Sequence, residues 1–135
     1  MQDLRCVMIL NASLPPGKAT NAAAVMALTL GQRHPALVGE ALEDASAHPC
    51  PGLIPVGIPV LAATTEQLSL LRENAEQADC DMVLFPEEGQ STTDYQALGE
   101  AMRQKPRQQW RLLGIAVVGE KKALRKLTAR LALFG

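Results

Sequence analysis

Aromatic side chains are scarce: one Trp, one Tyr and two Phe in 135 residues. That scarcity removes the stacking platforms on which a single-strand nucleic-acid binder lays its bases. No apolar run approaches the roughly 20 residues that cross a bilayer, so no membrane partner is expected. The opening MQDLRCVMIL runs straight into a strand pattern, without the basic start, apolar run and small-residue cleavage site of a secretory leader. Cysteine is sparse as well. Cys6, Cys50 and Cys80 are an odd set at unpaired spacings, two of them in or beside strand-like segments, which reads as reduced thiols in a cytoplasmic protein. Only His34 and His48 supply imidazole, whereas a metal site needs three or four ligands. No metal and no cofactor is expected.

What is present is an ordinary globular composition, 47% hydrophobic and 20% charged. A chain of this length buries a core without staples and suits a single α/β domain over residues 1–135. The net charge of −1 hides an asymmetry. Residues 1–100 carry 4 Lys and Arg against 13 Asp and Glu, and residues 101–135 carry 9 against 1. The basic end is either a surface for a phosphate-bearing partner or the solvated face of a helix.

Strand and helix patterns alternate along the chain. Arg5–Leu10 is almost continuously apolar, the mark of a strand buried on both faces. A helix is predicted from Thr20 to Arg33, capped by Thr20 or Asn21 and ended by His34-Pro35. Its Ala22, Ala23, Ala24 and Ala27 leave it thin enough to lie close on whatever it covers. Residues 35–52 read as irregular or as one short strand at most. Leu53–Leu61 is β-rich, but Pro55 and Pro59 cannot donate to a ladder, which predicts an edge or interrupted strand. Thr64–Asp79 is an amphipathic helix with a Thr64/Gln67 capping box. Asp81–Phe85 is a short buried strand, Thr92 to about Lys105 a helix, Leu112–Val118 a fourth strand, and Glu120 to about Arg130 a last helix. Helices of crossover length between strands predict a mostly parallel, four-stranded sheet covered on both sides.

In open α/β sheets ligands bind outside the carboxyl ends of strands. With parallel strands, Asn11, Lys18, Gln90, Ser91, Thr92 and Lys121 gather on one rim. The stretch NASLPPGKAT falls short of a nucleotide-triphosphate loop, since Ala12 stands where the first glycine belongs and Ala19 follows Lys18. It still brings a lysine beside a helix start, where free amides and the helix dipole favour anions. Equally, Pro15, Pro16 and Gly17 make a stiff connector in which Gly17 supplies an unusual dihedral. His48-Pro49-Cys50 sets a thiol near an imidazole without further ligands. Glu87-Glu88 pairs carboxylates after a strand, with no second acidic cluster to support acid–base work. Asp94 suits helix capping, and Trp110 suits an anchor leading into the fourth strand.

The segments CVMILNASLPPGKATNAAAVMALTLGQRHP, IPVLAA, GQSTTDY and LLGIAVVGEKKALRKLTARLAL resemble the bacterial family catalogued as domain of unknown function 2000. That family is similar in fold to type II peptidyl-tRNA hydrolases. The resemblance implies a four-stranded mixed sheet with helices on both faces, and it carries over a homodimer and an RNA (tRNA) partner as expectations. The hydrolases' first-loop pattern matches at Asn11, Leu14, Gly17, Lys18, Ala22 and Ala23. Pro15 and Thr20 replace lysines, Ala24 replaces a glutamine, and Met26-Ala27 replaces a serine–histidine pair. Glu88, Gly89 and Thr92 follow the acidic–small–glycine–threonine turn loosely. Lys126, Leu127, Thr128, Leu131 and Leu133 follow the terminal pattern.

These readings converge on a small phosphate- or carboxylate-bearing ligand at the sheet's C-terminal rim. Lys18 is its cation, helped by Asn11, Gly17, the Thr20 helix start, Gln90, Ser91 and Thr92. Two alternatives remain. One is a hydrolase of peptidyl- or acyl-tRNA esters, with Lys18 facing the developing oxyanion. The other is a protein-interaction module that uses the proline-broken second strand as an edge.

Overall fold

The computed structural model describes residues 3–135. A central strand β1 (Leu4–Asn11) lies between β6 (Leu112–Glu120) and β4 (Val60–Ala63). Outside them lie β5 (Cys80–Pro86) and β7 (Ala132–Leu133), giving the order β5-β6-β1-β4-β7. The sheet therefore has five strands, not four. It is also mostly antiparallel: among the described residues β1 with β4 is its one parallel pair, while β1–β6, β4–β7 and β5–β6 all run antiparallel.

Two features account for these corrections. Residues 87–111, between β5 and β6, hold the short helices α3 (Glu88–Ser91) and α4 (Tyr95–Met102) and a 3-10 turn at Arg107–Gln109, none with a buried residue. That connection turns at the sheet's end without crossing a face, so its two strands pair antiparallel. The fifth strand follows α5 (Lys121–Leu127), whose last turn closes at Thr128, where the hydroxyl donates to the Leu124 carbonyl at 2.9 Å. Two residues of pattern were too few to announce β7.

Alternation along β1 feeds two cores. Val7 and Ile9 pack with Leu61, Ile115 and Val117 under α2 (Thr65–Gln77) and α5, where Leu68, Leu71 and Leu124 descend. Cys6, Met8 and Leu10 pack with Ala116 and Val118 under α1 (Pro16–Arg33), where Ala19, Ala22, Met26 and Leu30 descend. The thin alanine face brings α1 close to the sheet. A Cβ on Gly114 would stand 2.7 Å from the Met26 Cε and 3.0 Å from the Ile9 carbonyl oxygen.

The Thr64/Gln67 capping box forms as expected, with the Thr64 hydroxyl accepting from the Gln67 amide at 3.1 Å. The helix α1 starts earlier than predicted, at Pro16 behind an extended Pro15. Proline at the first helical position loses nothing, because that amide has no partner in any helix. Leu53–Pro59 stays irregular, and β4, which follows it, is flanked on both sides, so the proline-broken segment supplies no open edge. Residues 35–52 contain a single 3-10 turn and a small hairpin of β2 (Leu42–Glu43) and β3 (Pro49–Cys50). Ala47 takes the left-handed turn conformation at φ 61°.

Candidate functional site

β1, β4 and β5 end on one rim and β6 ends on the other, because β6 runs antiparallel to β1 and β5. Lys121, directly after β6, therefore lies across the sheet from Lys18, and the expected single cluster is split in two.

The rim at the end of β1 is built largely from polar groups that satisfy one another. Asn11 is buried; its Nδ2 donates to the Thr65 hydroxyl at 3.1 Å, and its Oδ1 accepts from the Ser13 amide and hydroxyl at 3.0 and 2.7 Å. Gly17 and Lys18 belong to the first turn of α1, so Gly17 is helical and needs no special dihedral. Thr20 sits a full turn inside the helix, where its hydroxyl donates to the Pro16 carbonyl at 2.9 Å. It neither caps nor starts α1.

Gln90 does meet Lys18. Its Nε2 donates to the Lys18 carbonyl at 2.8 Å and to the Asn21 Oδ1 at 3.2 Å, latching α3 onto α1. Ser91 is the exposed last residue of α3, and the Thr92 hydroxyl donates to the Glu88 carbonyl at 2.7 Å. Beneath them the Glu88 Oε1 is buried without a hydrogen-bond partner. Lys18 itself is exposed, and among the described residues it pairs with no carboxylate.

Sequence reasoning missed a buried cation on the same side of the fold. Arg72 is 3% exposed. Its guanidinium donates to the carbonyls of Arg107, Gln108 and Trp110 at 2.8–3.1 Å, fixing the approach to β6. Its Nε is left without a partner. A signal existed, since Arg72 lies four residues after Leu68 and three before Ala75, inside the apolar stripe of α2.

The opposite rim opens into a groove of about 770 Å³ between α5 and the strands β1, β4 and β7. Val7, Leu61, Leu124, Leu131 and Leu133 give it apolar walls, and Arg5, Lys121 and Arg125 line it with positive charge. The placement follows from the elements. Arg5 and Val7 share a β1 face, and Lys121 and Arg125 stand one turn apart on one side of α5. Arg5 holds Asp3 at 2.5 Å. Among the described residues, Lys121 and Arg125 pair with no carboxylate.

Two other clusters are self-contained. Asp81, at the start of β5, accepts from Arg33 Nε and Nη2 at 2.7 and 3.0 Å and lies 2.6 Å from His34 Nε2. The Arg33 hydrogen bonds bring its carboxyl down to about 2. On the hairpin, His48 Nδ1 lies 3.4 Å from Asp44 and Cys50 is exposed. Burial pushes the thiols of Cys6 and Cys80 up from their ordinary value, which makes poor nucleophiles of both. Among the described residues no three His, Cys, Asp or Glu side chains converge as metal ligands, and no helix is long and apolar enough to cross a membrane. Asp94 caps α4, accepting from the Ala97 amide at 2.8 Å, while Tyr95 is 87% exposed.

The fold and its two rims define a mixed-sheet α/β protein with a cationic, apolar-walled groove. A family model described as "Protein of unknown function (DUF2000)" matches residues 4–134, and the chain belongs to that family. No curated protein matches it. A solved protein of unknown function from Agrobacterium tumefaciens strain C58 is similar over 100% of both chains, with 21% identity and a TM-score of 0.89. At that identity the likeness speaks for the fold.

Proposed function

We propose that the protein binds a small anionic ligand, phosphate- or carboxylate-bearing, and that it does so in the groove beside α5. The observation that carries this reading is the pairing of two cations, Lys121 and Arg125, that meet no carboxylate among the described residues, with apolar walls in a groove of about 770 Å³. That volume falls within the roughly 300–1,000 Å³ of small-molecule sites. A cation beside low-dielectric walls attracts an anion more strongly than one standing in open water. At the Lys18 rim, by contrast, Asn11, Thr20, Gln90 and Thr92 spend polar atoms on the chain itself. Lys18 there has fewer partners to offer a ligand.

An NMR titration with butyrate and with phenyl phosphate tests the reading. Amide shifts are expected around Lys121–Arg125, and K121Q/R125Q should weaken binding about tenfold or more. Shifts centred on Gly17–Ala19 and lost in Lys18→Ala would return the site to the first rim.

The type II peptidyl-tRNA hydrolase likeness belongs to this proposal as its enzymatic alternative, supported by the terminal Lys126–Leu133 pattern. Turnover of a peptidyl-tRNA, abolished by Lys18→Ala, would establish that alternative and displace the binding reading.

A further inference from the structure

Resting on the reading of this groove as an anion site, we infer that its ligand is a free monocarboxylate of roughly eight to ten carbons in all, whose unbranched apolar tail runs the ~10 Å wall of α5. The groove is polarised along its length. Strand register sets Arg5 at the start of β1, beside Gly119 at the end of β6, and the Lys121 amide donates to the Asp3 carbonyl at 3.1 Å. Arg5 and Lys121 therefore stand at the rim, with Arg125 one helical turn further in.

Moving away from the rim, Val7 follows Arg5 on the same face of β1, and Leu61 pairs with Leu133 across β4 and β7. α5 climbs the other wall from Lys121 through Leu124 to Thr128, about 10 Å of helix rise. Its far end turns at Ala129 and Leu131, and these two residues also line the neighbouring cleft of about 320 Å³ between α2 and α5. A ligand with its charge at one end and hydrocarbon along the rest matches that gradient. A compact polyanion would leave the Leu61, Leu131 and Leu133 walls wet.

The head has two ways to bind. Lys121 gives a point charge, and Arg125, one turn further on, gives a guanidinium fork suited to two carboxylate oxygens. Arg5 is partly neutralised by Asp3 and serves more as a wall of the mouth. Covering half of each methylene strengthens binding about twofold per methylene, so octanoate should bind about 15-fold more tightly than butyrate.

The experiment is an isothermal and NMR titration of the whole chain with butyrate, hexanoate, octanoate and decanoate, beside vesicles of anionic lipid. Three further chains are titrated: Lys18→Ala, K121Q/R125Q and Leu133→Asn. Leu133 is 73% exposed, so its change to asparagine tests the wall without endangering the core. The expected result is affinity rising with chain length, loss in K121Q/R125Q, a flattened chain-length series in Leu133→Asn, and no change in Lys18→Ala. If octanoate binds no better than butyrate while both need Lys121 and Arg125, the tail is wrong and the anion site stands. If none of the carboxylates perturbs the groove, the inference falls, and if phenyl phosphate leaves it silent as well, the anion site falls with it. A chain-length gain that survives Leu133→Asn, or binding to vesicles alone, also overturns the inference.

Discussion

The two rims of one sheet are finished in opposite ways. Where β1 ends, side chains turn inward: Asn11 ties Ser13 to Thr65, Gln90 ties α3 to α1, and Arg72 holds three carbonyls before β6. Where β6 ends, Lys121 and Arg125 stand over apolar walls with no carboxylate to answer them among the described residues. One rim spends its polar groups on stability. The other holds cations in reserve, and that is why we look there for a ligand.

The sharpest way to break this contrast is Arg72. Replacing it by methionine keeps the bulk and removes the donors, and should destabilise the fold by about 2–4 kcal/mol in chemical denaturation. A near-neutral result would mean that the closed rim is not held by its hydrogen bonds. Asn11→Ala should cost about 1–2 kcal/mol, because the Thr65 hydroxyl and the Ser13 groups lose their partner together. Thr64→Ala removes the cap of α2 and should cost about 1 kcal/mol. K121Q/R125Q should leave stability within about 0.5 kcal/mol while binding falls. A large loss of stability in that variant would turn the groove's cations into structural parts and erase the distinction.

The smallest effect is acid sensitivity at Asp81. Its carboxyl lies at about 2 in the fold, below the roughly 3.9 of an unfolded aspartate. Its contribution is thus complete above about pH 4 and disappears as pH falls through about 2. Asp81→Asn should lower Tm by about one degree at neutral pH and remove that part of the acid dependence. An unchanged thermal profile from neutral pH down to about pH 2 would show that the Arg33–Asp81 contact contributes nothing.

Much of the fold was legible where local chemistry decides it. The apolar runs of β1 and β6, the Thr64/Gln67 cap and the stop at His34-Pro35 all form as read. Strand direction was not legible, because a connection of crossover length need not cross: residues 87–111 fold beside the sheet's end instead. That one reversal carried Lys121 to the other rim. β7 escaped because Leu131 continues the helical stripe of α5, although the helix has already closed at Thr128. At the candidate site, residue types pointed to cations and an anion, but hydroxyls and amides such as Thr20 and Asn11 offered no hint that neighbouring backbone would claim them.

A strand greasy on both faces has little to stop it from slipping. If β1 moved by one residue, Val7 and Ile9 would trade places with Cys6, Met8 and Leu10, and each core would receive hydrocarbon of similar size. Asn11 is the stop on that sliding rail. Its carboxamide fits between Ser13 and Thr65 in a single frame, and any shift strands a buried amide in oil. One polar residue at the strand's end thus indexes two hydrophobic interiors at once.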